Sequence, residues 1–163
     1  MSKVTNSEGA VEAAADDAPA PEAAAPGPVD PDLRELVRST LSEILARKAE
    51  DVVIVDVRGR TSYCDLFILA TGAQARQVRA MAEGVVAMIK RTRGKRPAGV
   101  EGTDTGRWVL VDLGDVLLHV FDGPMRGYYD LDGLWVDAPR LPLESFGYDA
   151  DGRDLEALAP VEA

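Results

Sequence analysis

The stretch Arg107–Phe121, R-W-V-L-V-D-L-G-D-V-L-L-H-V-F, restricts the possible folds of this chain more than any other segment. Two apolar runs flank Gly114-Asp115. Glycine followed by a polar residue suits a two-residue type II′ turn, because glycine takes positive φ without steric cost. Such a turn leaves one register: Leu113 opposite Val116, Asp112 opposite Leu117, Val111 opposite Leu118, Leu110 opposite His119, Val109 opposite Val120, and Trp108 opposite Phe121. Side chains alternate between faces along each strand. One face then carries Val109, Val111, Leu113, Val116, Leu118 and Val120, wholly apolar, and reads as core. The other carries Trp108, Leu110, Asp112, Leu117, His119 and Phe121. It is either a second core face or a surface kept apolar for a partner, and most of the functional question turns on that choice.

Around the hairpin the pattern alternates between helix and strand. Asp30-Pro31 reads as an N-cap followed by a proline in the first helical turn. Leu33, Leu36, Val37, Leu41, Ile44 and Leu45 recur at helical spacing to about Lys48. Val52–Val57 is a β-branched run and a buried strand, and Leu66–Thr71 is a second strand. A helix from about Gln74 to Arg91 carries Val78, Met81, Ala82, Val85, Val86 and Ile89 as its stripe. Gly84 within it costs roughly 1 kcal/mol in propensity, which points to close packing there. A short strand near Ala98–Glu101, a loop at Gly102–Gly106, the hairpin, and a short helix from Pro124 to Trp135 complete the order. The expectation is an α/β domain at 30–136 with one mixed sheet of about five strands and helices mainly on one face. Residues 1–29 are mostly Ala, Pro, Gly, Glu and Asp and contain no Leu, Ile, Phe, Tyr or Trp. Such a segment cannot offset its ordering entropy and is expected as a disordered acidic tail. Residues 137–163, with scattered acids, prolines and isolated apolar residues, are expected as a second acidic, flexible tail.

Charge excludes some function classes. The formal net charge is −10, but residues 1–29 hold one basic and five acidic residues and residues 136–163 two and seven. The middle carries 15 basic against 16 acidic, so a near-neutral domain is flanked by acidic ends and nucleic acid is not expected as the main ligand. Cys64 is the single cysteine, which rules out an intramolecular disulfide and paired-cysteine metal sites and suits the cytoplasm. Neither a secretory signal nor a membrane-spanning run is expected.

Few constellations carry chemistry. Asp112, Asp115 and His119 are the one candidate set for a metal or for acid–base work. A carboxylate and an imidazole on one face fall short of the three protein ligands usual for catalytic zinc, and Asp115 sits where Asp commonly serves turn geometry. His119 is the only histidine, and no G-x-S-x-G accompanies it. Gly102–Gly106 lacks both phosphate-loop fingerprints. The cluster Lys90–Arg96 could touch RNA phosphates, although a solvated helix end is the commoner use of such a run and no aromatics are interleaved for base stacking. Trp108, Phe121, Tyr128, Tyr129 and Trp135 are five of the nine aromatic residues, gathered within 28 positions. Trp and Tyr dominate binding hot spots, and this gathering favours an interface.

The ordered set Asp65 in S-Y-C-D-L-F-I-L-A-T-G, Val100-Glu101-Gly102, Trp108, Asp112-Leu113-Gly114-Asp115-Val116, His119-Val120, Arg126, Tyr129, Leu131 and Leu134-Trp135 resembles the ribosomal silencing factor, or Iojap, family. The resemblance implies a nucleotidyltransferase-like topology without catalytic motifs. It also implies a non-enzymatic factor without cofactor or metal that represses translation when nutrients are short. In that family the factor binds the large ribosomal subunit through ribosomal protein number fourteen and blocks subunit joining. A homodimer when free, a minor ribosomal RNA contact and a cytoplasmic location follow as further expectations. The partner-binding candidates are Trp108, Leu110, Asp112, Asp115, Leu117, His119, Phe121, Arg126 and Tyr129. The alternative is a metal-dependent nucleotidyltransferase-like enzyme using Asp112, Asp115 and His119.

Overall fold

The computed structural model describes residues 27–158. The tail expected over 1–29 therefore lies almost entirely outside the described residues. Helix α1 spans Pro31–Ala46, and the Asp30 carboxylate accepts the Leu33 N–H at 3.1 Å, as its N-cap position requires. Strands β1 (Glu50–Asp56) and β2 (Leu66–Gly72) follow, then α2 (Ala75–Arg93). Next come β3 (Gly99–Glu101), β4 (Trp108–Asp112), β5 (Val116–Asp122) and the short helices α3 (Gly123–Tyr129) and α4 (Leu131–Leu134). A two-residue strand β6 (Arg140–Leu141), a 3₁₀ turn at Leu143–Phe146 and α5 (Leu155–Leu158) complete the described chain.

The sheet is mixed, in the order β3-β4-β5-β2-β1-β6. The β4–β5 register is the one the turn demands, from Trp108 opposite Phe121 to Asp112 opposite Leu117, closed by Leu113 N–H donating to Val116 O at 2.9 Å. Gly114 takes φ +93, the left-handed value only glycine adopts readily. The central seam is parallel, β5 against β2, with Leu66 beside Val116 and Phe67 beside Leu117. Every other pair is antiparallel.

Both long helices lie on one face. Their apolar stripes meet Ile54, Leu66, Ile68, Val109, Val111, Val116, Leu118 and Val120 in the main core. Gly84 is where α2 meets α1: a Cβ there would come within 2.6 Å of the Arg47 guanidinium. The opposite face holds a smaller core of Val55, Val57, Cys64, Phe67 and Leu69, covered by Trp135 and Ala138 with Leu131 packed alongside.

The segment expected as a flexible tail from 137 onward is, as far as Glu156, held onto the domain, and the sheet has six strands instead of about five. β6 pairs with β1, while Phe146 and Tyr148 are buried in the main core against α1. Arg38 fixes the crossing: its guanidinium forks to both Asp154 oxygens at 2.9 and 3.0 Å, donates to Phe146 O at 3.0 Å, and lies 4.9 Å over the Tyr148 ring. Apolar residues too sparse to show a period thus dock because α1 supplies the cation and the groove. The chain enters beside the same edge, where Arg58 binds the buried Asp56 carboxylate and donates to Gly27 O and Pro28 O.

Candidate functional site

Alternation along β4 and β5 sets Trp108, Leu110, Asp112, Leu117, His119 and Phe121 on the face away from the long helices. Helix α3 starts directly from β5, because the Asp122 carboxylate caps it by accepting the Met125 N–H at 2.9 Å. That short turn returns Tyr129 over the sheet, its ring centroid 4.4 Å from that of Trp108. A row of rings results. Trp108 stacks on Phe121 at 5.1 Å, His119 lies nearly parallel to Phe121 at 6.1 Å, and Phe67 meets both His119 and Trp135 edge to face at 5.3 Å. α4 and the residues after it cover the Phe67 end. The β4 end stays open, with Trp108, Leu110 and Leu117 half-buried and Tyr129 45% exposed. Tyr128, at 75% exposure, extends the apolar surface outward.

The loop before β4 also sets the placement of Trp108. Gly102 has φ +91, and a Cβ there would run into the Trp108 carbonyl. Arg79 ties this loop to α2 by donating to Thr103 O and Asp104 O, both at 2.8 Å. The two glycines of G-T-D-T-G therefore serve backbone geometry and not phosphate binding.

His119 is a buried support for the face. Its Nδ1 accepts the Trp108 indole N–H at 3.2 Å, so the neutral ring carries its proton on Nε2, and that atom is buried without a partner. Burial alone pushes its pKa down to about 4. Phe121 is fully buried beneath Trp108. Arg126 is occupied as well: it forks onto Asp132 at 2.8 and 3.1 Å and donates to Thr71 Oγ1 at 2.8 Å. Its hydrogen bonds hold the Asp132 carboxyl below its usual range. Three of the nine predicted contact residues, His119, Phe121 and Arg126, thus lie beneath the surface or brace it. Trp108, Leu110, Asp112, Asp115, Leu117 and Tyr129 are the ones that reach it. Sequence reasoning missed Phe67, Thr71 and Asp132 as supports. Only the proximity of Asp132 to Arg126, six positions apart, hinted at the brace.

The chemical alternative finds no assembled centre. Asp112 accepts the Gly114 N–H at 2.9 Å and serves the turn, Asp115 is exposed at that turn, and His119 is engaged with Trp108. Among the described residues no group of three or more His, Cys, Asp or Glu is placed to hold a metal. Cys64 lies nearby, buried, with its thiol pushed up to about 12 by burial and then by Asp65, Asp112 and Asp115.

A family model described as "Ribosomal silencing factor during starvation" matches residues 30–161. The chain belongs to this family. Among ribosomal silencing factors, the one from Halalkalibacterium halodurans is 37% identical over 111 residues, covering 68% of this chain and 94% of its own. That from Bacillus subtilis is 40% identical over 98 residues, covering 60% and 82%. A crystal structure of a protein from Chromobacterium violaceum matches with TM-score 0.60 at 37% identity, over 63% of this chain and 85% of that one. A Bacillus halodurans structure matches with TM-score 0.60 at 34% identity, over 68% and 99%. The family match runs through the docked C-terminal segment, beyond Trp135.

Proposed function

We propose that this ribosomal silencing factor represses translation by seating the Trp108–Tyr129 face on ribosomal protein number fourteen of the large subunit. Its bulk then keeps the small subunit from joining when nutrients are limiting. The observation that carries the reading is the uncovered β4 end of the aromatic row. Trp108 stands at the surface there on the buried Phe121 and His119, with Tyr129 packed against it, which is the make-up of a hot spot and its surround. Asp112 and Asp115 border the face and suit basic side chains on a partner. A mouse relative, 29% identical over 151 residues, is named "Mitochondrial assembly of ribosomal large subunit protein 1", and that name supports the choice of subunit. Steric exclusion needs no chemistry from Asp112, Asp115 or His119. The same face pairs two copies when the factor is free, ribosomal RNA supplies a minor contact, and the factor works in the cytoplasm with the ribosomes.

The test is co-sedimentation with isolated subunits, joined to a reassociation assay. The expected outcome is binding to large subunits alone, a fall in joined ribosomes, and a loss of roughly 2–4 kcal/mol of binding on Trp108→Ala. A folded Trp108→Ala protein of unchanged affinity would refute the face. No binding by the unaltered protein would refute the function and make a screen for divalent metal and nucleotides the next step.

A further inference from the structure

Five of the 18 basic residues fall within the seven positions Lys90–Arg96, K-R-T-R-G-K-R, leaving 13 to face all 28 acidic residues over the rest of the chain. They crown the end of α2 and the loop beyond it, around Gly94 in the left-handed conformation at φ +65. The helix dipole accounts for cations in the last turn, Lys90, Arg91 and Arg93. It does not account for Lys95 and Arg96, which lie past the helix. Internal pairing uses two of the five, Arg91 with Glu43 at 3.4 Å and Arg93 with Asp32 at 3.3 Å. Lys90, Lys95 and Arg96 are exposed, and none of them forms an ion pair among the described residues.

The position of this corner matters as much as its charge. The Ala98 N–H donates to Asp112 O at 2.8 Å, and Gly99 pairs with Asp112, so the loop is stitched to the strand end that borders the docking face. Lys95 and Arg96 share a cleft with Leu113, Gly114 and Asp115 of the hairpin turn.

We infer that Lys90, Lys95 and Arg96 form a second contact surface, seated on the phosphate backbone of ribosomal RNA beside the protein-docking face. The inference rests on the docking reading for the location of that RNA. Exposed cations with no aromatic side chain among them hold phosphates without reading bases, so the contact is sequence-independent and positions the factor. The remainder of the chain is strongly acidic and is repelled by phosphate at close range.

The experiment compares the full chain with the triple variant Lys90→Gln, Lys95→Gln, Arg96→Gln, binding large subunits over a range of salt concentrations. Three lost phosphate contacts should lower the slope of log K against log salt by about 2–3, with an affinity loss of about tenfold or more at low salt that closes at high salt. Trp108→Ala should lower affinity and leave the slope in place. An unchanged slope and affinity for the triple variant overturn the inference. Retention on an immobilised duplex of large-subunit RNA at low salt is the independent arm, and it still reads the corner if the docking reading itself fails. The unaltered chain should be held longer than the triple variant, and equal elution overturns the proposal. If RNA-free ribosomal protein shows the difference and RNA does not, the corner reads an acidic protein and the RNA contact falls.

Discussion

A single hydrogen bond decides what the docking face offers. Because the Trp108 N–H is turned inward to His119, the indole presents carbon to the outside, and the partner surface must be apolar opposite it. The chain keeps a buried, unpartnered Nε2–H for this, a feature that usually costs about 1–3 kcal/mol. Alternation in the sequence placed Trp108, His119 and Phe121 on one face. Depth was not legible, since it depends on α3 and α4 covering one half of that face and leaving the other. His119 has a folded-state pKa of about 4, below its ordinary 6.5, so between these values the unfolded chain binds the extra proton. Its stabilising contribution is complete above pH 6.5 and is lost as pH falls toward 4, up to on the order of 3 kcal/mol. Urea midpoints should fall across that window for the native chain and stay flatter for His119→Phe. Parallel curves would show that His119 is not neutral and buried as described.

Among the elements, the β4–β5 hairpin was readable to the residue because a two-residue glycine turn and strict alternation leave no second register. The parallel β2–β5 seam was not, since nothing local encodes a pairing between strands some fifty residues apart. The α3–α4 unit was legible as a helix but not as a support. Arg126 joins α3 to Asp132 of α4 and to Thr71 of β2, so three elements depend on one guanidinium. Arg126→Ala would leave Asp132 and the buried Thr71 without their partner and should cost about 2–3 kcal/mol in urea unfolding. Faster amide exchange should be confined to 123–134, with weaker subunit binding as Tyr129 loosens from Trp108. Unchanged exchange there would mean that packing alone holds the helices.

At the level of the whole molecule, the C-terminal segment is what the sequence concealed. Its composition reads as a tail, yet Phe146 is fully buried and Arg38 forks onto Asp154. The anchoring partners lie more than a hundred residues upstream, so no window of sequence contains both. Phe146→Ala should cost about 3–5 kcal/mol, the range for emptying an aromatic core position, and a loss under 1 kcal/mol would show that the segment rides on the surface. The described chain enters at the β6 side and its last helix is tied to α1 by Glu156 with Arg34 and Arg38, whereas the docking face lies at β4 and β5.

The seclusion of Cys64 has a practical consequence. A thiol 6% exposed and reluctant to ionise is a poor target for maleimides and for disulfide exchange. A cysteine introduced by Gly27→Cys would then be the one reactive thiol, and it could carry a single dye without removal of the native thiol. Four strand spacings, roughly 19 Å, separate β4 from the β6 edge near that label, so a fluorophore there would report arrival on a subunit without entering the contact.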